Sequence, residues 1–309
     1  MADPATVEAL LEGAFDTHVH SAPDVLPRKF DDLELTERFR SRRLAGFVLK
    51  SHYAPTADRA TLVRKLVPEV QAFGAIVLNN AVGGLNPLAL DIAGRLGARV
   101  AWLPSVDSAN ELESVLAAGQ RDESKMPYWM SIAREMRAMG IAGAWLNVTE
   151  SGRLTEPTRQ CLEVIAKHDM VLATSHIRPA EMVLMVQSAR EAGVQRIVVT
   201  HPEFPTTLLS IDQQRELARL GAYFERCYTT PSTGKIGWEQ VYQNIRLVGP
   251  ESTIVATDLG QTTGPYPDEG LALFIGNLLD NGFAPREVQR MVRDNPAHLL
   301  GASIAAASG

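Results

Sequence analysis

Ala14-Phe15-Asp16-Thr17-His18-Val19-His20 is the stretch from which the rest of this chain can be read. A short apolar run ends in two histidines, two residues apart. Three later runs are built the same way. Val171-Leu172-Ala173-Thr174-Ser175-His176, Ile197-Val198-Val199-Thr200-His201 and Ile254-Val255-Ala256-Thr257-Asp258 each end on a side chain that can bind a metal. Runs this short and apolar read as buried β-strands. In a (β/α)8 barrel the C-terminal ends of all strands meet at one mouth, where the chemistry is done. Four segments far apart in sequence would then deliver three or four imidazoles and a carboxylate to one place. Such a set can hold a divalent ion and activate a water.

Working outward, strand-like and helix-like runs alternate through most of the chain. Strands are expected near Phe15, Gly46, Ala75, Ala98, Val171, Ile197, Ala222 and Thr253, eight in all. Thr56 and Asn86-Pro87 read as helix starts, the latter an N-cap followed by a proline at the first helical position. Gly46, Gly74, Gly97 and Gly221 read as the left-handed residues that end helices. Strands separated by helices argue for a parallel sheet. The fold expected is α/β: a (β/α)8 TIM barrel, regular or distorted, in one domain over residues 1–309. An insertion of about residues 107–156 follows strand four. It should hold a methionine-rich helix over Met126–Met139 and a small hairpin turning at Ser151-Gly152. Asn295 to Leu300 should close the last helix, and Ala302–Gly309 reads as a frayed tail.

Composition narrows the function classes. A chain of 309 residues, 45% hydrophobic, suits one barrel of roughly 250 residues plus extensions. The net charge of −6 offers nucleic acid no footprint, and Arg40 to Arg43 reads as a solvated helix face. No signal-peptide pattern and no apolar run of roughly 20 residues is visible, so a cytoplasmic protein without a membrane span is expected. Cys161 and Cys227 have no CxxC spacing and read as reduced thiols without a metal role. The chain contains no GxSxG, GxxxxGK[ST] or GxGxxG signature. The partner expected is a small molecule. The insertion and the apolar tail suit a homo-oligomer.

Alternation along strand one places Asp16, His18 and His20 on one face, so both imidazoles can reach one ion. Pro202 should hold His201 extended. Lys50 ends the apolar run Phe47-Val48-Leu49, where an ammonium is costly unless it is paired or modified. Three readings of Lys50 stand: a carboxylated bridge between two metals, an ammonium for an anionic substrate group, or a rim lysine with its head in solvent. His52 is read as a ligand or a substrate contact. Arg28, Arg59, Asn79, Asn80, Arg178, Glu203 and Gln261 fall in rim loops, and arginines there favour a carboxylate-bearing substrate. Zinc suits the histidine–carboxylate set, as one ion or two, and manganese, iron or cobalt are compatible with it.

The pattern resembles the amidohydrolase superfamily of metal-dependent hydrolases, in particular a subgroup of largely undefined activity. The stretches that carry the resemblance are Asp16–Asp24, Leu49-Lys50-Ser51-His52-Tyr53, Gly83-Gly84-Leu85-Asn86-Pro87 and Thr257-Asp258-Leu259-Gly260-Gln261. It implies that His18 and His20 are the strand-one ligands, His176 the strand-five ligand and His201 the strand-six ligand. Asp258 would be the strand-eight aspartate that both contacts metal and acts as base. One departure stands out: Trp102-Leu103-Pro104-Ser105 ends strand four without the bridging lysine or glutamate of many two-metal members, and Lys50 is the nearest substitute. The implied reaction is hydrolysis of an amide, cyclic amide, ester or lactone. A decarboxylase or hydratase of the same superfamily is the first alternative. A non-catalytic, metal-stabilised binding barrel is the second. A purine-type deaminase is disfavoured, because Glu181 lies five residues beyond His176 rather than three.

Overall fold

All eight expected runs are strands in the computed structural model, which describes residues 2–117, 128–141 and 143–303. They are β1 (Phe15–Val19), β2 (Gly46–Leu49), β3 (Gln71–Val77) and β4 (Ala98–Trp102). After a two-residue hairpin, β5 (Thr149–Glu150) and β6 (Arg153–Leu154), come β7 (Val171–Ala173), β8 (Arg196–Thr200), β9 (Tyr223–Cys227) and β10 (Thr253–Ala256). The eight pair in parallel in the order β1-β2-β3-β4-β7-β8-β9-β10. The cylinder closes where the chain leaving β10 returns to β1. Asp258 N–H donates to His18 O at 2.8 Å and His20 N–H to Leu259 O at 2.8 Å. The fold is a (β/α)8 TIM barrel.

Alternation sorts the strand side chains into two layers. Phe15, Val48, Val77, Val100, Trp102, Val171, Ala173, Val198 and Ile254 fill the interior together with Ala297, Leu299 and Leu300. The helix Asn295–Leu300 thus plugs the N-terminal end of the barrel. Arg99 and Arg196, at the starts of β4 and β8, tie it there by donating to the carbonyls of Leu300 and Leu299. The opposite faces of the strands pack on surrounding helices, such as Phe47 edge-on to Phe39 of the helix Asp32–Ser41 at 5.1 Å.

Several local expectations need correcting. Gly97 (φ 89°) and Gly221 (φ 79°) are left-handed, but Gly46 and Gly74 lie inside β2 and β3. They are glycine for closeness rather than for handedness: a Cβ on Gly46 would stand 2.2 Å from Gln71 O, and one on Gly74 2.3 Å from Ala57 Cα. Accordingly β3 begins at Gln71, four residues before Ala75. Asn86 caps its helix through Leu88 N–H and Ala89 N–H. Thr56 stands at an N-cap but spends its hydroxyl on Leu49 O at 2.7 Å and Ala75 N–H at 2.8 Å, stitching β2 to β3.

Between β4 and β7 the chain forms a helix over Ala109–Ala117, a 3-10 turn over Tyr128–Met130 and a helix over Ser131–Ala138. Of the expected methionine-rich helix, Met126 lies outside the described residues. The hairpin turns at Ser151 (φ 50°) and Gly152 (φ 75°), as its sequence suggests. Residues 304–309 of the expected tail also lie outside the described residues.

Candidate metal centre

The strand ends turn sharply at the mouth. Ser175, His201 and Asp258 have φ of 54°, 51° and 55°, a left-handed region that costs side-chain-bearing residues roughly 1–2 kcal/mol. His201 is therefore not held extended by Pro202. Three contacts impose its conformation: its N–H donates to Glu225 O at 3.1 Å, and its own carbonyl accepts from Phe204 N–H at 3.0 Å and Thr207 Oγ1 at 2.6 Å. Asp16 also departs from expectation. The β1–β2 register shifts between Asp16 and Val19. The Asp16 carboxylate turns to Thr257, accepting from its N–H at 3.0 Å and its hydroxyl at 2.5 Å. Burial pushes that carboxyl up to about 7, against these hydrogen bonds.

Four of the candidate ligands meet. His18 Nε2 and His20 Nε2 each lie 3.2 Å from Asp258 Oδ1, and His201 Nε2 lies 3.7 Å from Asp258 Oδ2. Ligating atoms of His18, His20 and Asp258 all fall within 4.8 Å of one another. His176 stands at the margin, its ring 5.6 Å from that of His201. Lys50 Nζ sits 3.0 Å from His18 Nε2 and 5.0 Å from the Trp102 ring centre. It is 2% exposed, which removes the rim-lysine reading. Cys227, read as having no part in the site, lies 3.7 Å from His18 Nδ1.

Two carboxylates that sequence reading missed aim the ring nitrogens. Glu225 Oε2 is 2.9 Å from His18 Nδ1, and its other oxygen accepts from Thr17 Oγ1 at 2.6 Å. Glu111 Oε1 is 2.6 Å from His176 Nδ1 and accepts from Thr206 Oγ1 at 2.6 Å. A carboxylate on Nδ1 leaves Nε2 with its lone pair toward a cation. Glu225 had a signal: an acidic residue inside the strand-like run Tyr223–Cys227 must find a partner. Glu111 had none, because 65 residues separate it from His176.

The electrostatics prepare the cluster for a cation. Burial, reinforced by Arg28, pushes the His20 imidazole down to about 3, and burial holds His52 and His201 well below their usual range. Their nitrogens are neutral, as ligands must be. Burial pushes Asp258 up, but His18, His20 and His201 outweigh it and hold the carboxyl well below the ordinary range. Burial also lowers Lys50, against the attraction of Asp258 and Glu225. His201 Nδ1 is buried without a hydrogen-bond partner among the described residues. The imidazoles of His20 and His201, held neutral beside the Asp258 carboxylate, fit a divalent ion.

Above the cluster opens a cavity of about 420 Å³. His52, Arg28 and Gln261 line it, and Gln261 Nε2 donates to Asp258 O at 2.9 Å. His52 is stacked on His20 at 4.9 Å and its Nδ1 lies 2.8 Å from Ser105 Oγ. Arg178 is a correction: it does not line this cavity. It precedes the helix Pro179–Glu191, and its guanidinium is drawn outward to Glu113, Glu181 and Asn147. Arg59 is likewise spent on Asp32 and the loop carbonyls of Ala22 and Pro23. Asn79 holds Ser105 and the His52 carbonyl. Asn80 donates to Ala144 O, and Glu203 meets Arg226 and Asn244. These are structural roles.

Comparison with known proteins agrees with the barrel. The chain belongs to a family described as being of unknown function (DUF6282), whose model matches residues 13–225. No curated protein matches its sequence. Among solved structures, an amidohydrolase from Pseudomonas aeruginosa superposes with a TM-score of 0.63 at 11% identity, covering 99% of this chain and 100% of that one. The probable dipeptidase PvdM from the same organism gives 0.60 at 11%, with 96% of each chain covered. A 2,6-dihydroxybenzoate decarboxylase from Rhizobium gives 0.52 at 11%, covering 94% and 99%. At this identity the likeness is one of fold.

Proposed function

We propose that the chain is a metal-dependent hydrolase that cleaves an amide, cyclic amide, ester or lactone bond of a small molecule. One observation carries this reading: three imidazoles converge on the ionised Asp258 at the floor of a cavity of about 420 Å³. His18, His20, His201 and Asp258 would hold a divalent ion, zinc first among the candidates, with His176 and Lys50 at its margin. Bound there, the ion would supply a water with a pKa lowered toward roughly 7 and a Lewis acid for a carbonyl. Asp258 accepts the proton of the attacking water and returns it to the leaving group. Thr229 Oγ1, donating to Asp258 Oδ2 at 2.9 Å, keeps the carboxylate oriented for both transfers. Glu225 and Glu111 keep the rings of His18 and His176 from rotating.

The first experiment is elemental analysis of protein purified without added metal, with Lys50→Ala in parallel. Two ions per chain falling to about one would make Lys50 a carboxylated bridge. One ion, unchanged in the variant, would leave Lys50 an amine facing substrate. Protein purified and reloaded without retaining any divalent metal would defeat the reading. Turnover in oxygen-18 water then separates the chemistries: label in a cleaved product marks hydrolysis, whereas carbon dioxide release marks a decarboxylase. Among the described residues no helix is long and apolar enough to cross a membrane.

A further inference from the structure

The charges around the cavity are unequal. Among the described residues that line it, Asp258 is the one carboxylate, against Arg28, Lys50 and Lys235. Two of the three cations are already engaged. Arg28 is matched by Asp24, with Nη2 at 2.7 Å and Nε at 2.9 Å from one carboxylate oxygen. Lys50 lies deep, against His18. Lys235 differs. It is exposed at the mouth, and the described residues that line the cavity offer it no carboxylate other than Asp258. Its ammonium donates to Thr233 Oγ1 at 3.2 Å and stands 5.0 Å from the centre of the Phe204 ring. Phe204 in turn packs on His176 at 5.5 Å and on His201 at 5.7 Å. A single aromatic ring therefore spans the gap between the ammonium and the metal-site histidines.

The chain segment that carries Lys235 is braced on the reacting carboxylate. The helical turn Thr229–Ser232 begins with the residue whose hydroxyl donates to Asp258. It continues through Thr233, whose hydroxyl donates to Thr229 O at 2.6 Å, to Lys235, whose N–H donates to Thr230 O at 3.2 Å. One short hydrogen-bonded segment thus sets the spacing between Asp258 and the ammonium. Ser232, Leu26 and Tyr228 complete this side of the wall.

We propose that the cavity takes a small organic acid whose carboxylate docks on Lys235, away from the reacting bond. Its apolar body lies against Phe204, and the bond to be broken reaches Asp258 and the histidines. A charge-assisted hydrogen bond to the carboxylate supplies specificity, and the ring face supplies non-polar contact. The acid group would be a handle for binding rather than the group that reacts. This inference rests on the cavity being the reactive site, but its test reads binding and not turnover, so the two can fail separately.

Binding of 3-phenylpropanoate and of its neutral analogue 3-phenylpropanamide would be measured by calorimetry on the full chain. Chelator-treated and zinc-loaded protein, Lys235→Met and Lys235→Arg would be compared. The expected result is a preference for the acid of about tenfold, present with and without zinc, lost in Lys235→Met and kept in Lys235→Arg. Equal affinity for acid and amide, or binding of neither, would overturn the proposal. So would a preference that needs zinc and survives Lys235→Met, since the carboxylate would then sit on the ion. A protein that shows this preference but turns over no ester, lactone or amide would retain the anion site and lose the hydrolase reading.

Discussion

At the residue scale, the proposed site separates groups assigned to chemistry from groups that aim them. Asp258 is the only carboxylate among the described lining residues, and the histidines keep it ionised. Asp258→Asn should lower kcat by about 10²–10⁴-fold while most of the metal stays bound; full activity in that variant would remove Asp258 as the base. Glu225 acts through His18. Glu225→Gln should weaken metal affinity by about 10–100-fold, read by competition with a chelator rather than by turnover. An unchanged affinity would mean that Glu225 serves only the packing of β9. The thiols give a further check. Burial raises Cys161 to about 12 and Cys227 well above its usual range, so the native protein holds almost no thiolate at pH 8. Ellman's reagent should find both cysteines silent at that pH and both reactive after unfolding in guanidinium. The histidines and Asp258 were legible because each ends an apolar run. Arg178 looked equivalent in one dimension, yet its side chain lies outward along its own helix toward Glu181.

Elements show where one residue type serves two ends. Glycine ends the helices before β4 and β9 by turning left-handed, but in β2 and β3 it lets backbones approach. Each of the four glycines lies next to an apolar residue, so the sequence around it does not separate the two uses. Gly46→Ala tests the second use. Its Cβ would meet Gln71 O at 2.2 Å, so β2 and β3 must move apart. The denaturation midpoint should fall by the equivalent of about 1–3 kcal/mol, and no change would contradict the register described. Proline at His201-Pro202 carries the same lesson. Its local preference for an extended neighbour is overruled by three hydrogen bonds, two from the turn that follows (Phe204 and Thr207) and one to Glu225 O on the neighbouring strand.

For the whole molecule, the barrel has one chemical end and one structural end. The mouth gathers strained backbone, buried imidazoles and the cavity; the other end is sealed by Asn295–Leu300 under Arg99 and Arg196. Leu299→Ala should therefore cost about 2–5 kcal/mol of stability and leave metal content and the acid preference unchanged, as denaturant titration and elemental analysis on one sample would show. Parallel loss of metal would mean that the two ends are coupled. The sequence by itself determined the strand count, the parallel order and the position of His18, His20, His201 and Asp258 at the barrel mouth. Burial imposes apolar runs and barrel topology places catalytic groups at their ends, and both leave marks along a single strand. Tertiary structure alone decided that Glu111 aims His176, that Cys227 lies beside His18, that Arg178 faces away and that Lys235 lines a cavity whose one carboxylate, among the described residues, is Asp258. Those relations join side chains from different strands and loops, and the energy of a hydrogen bond or an ion pair depends on distances in space that sequence separation does not encode.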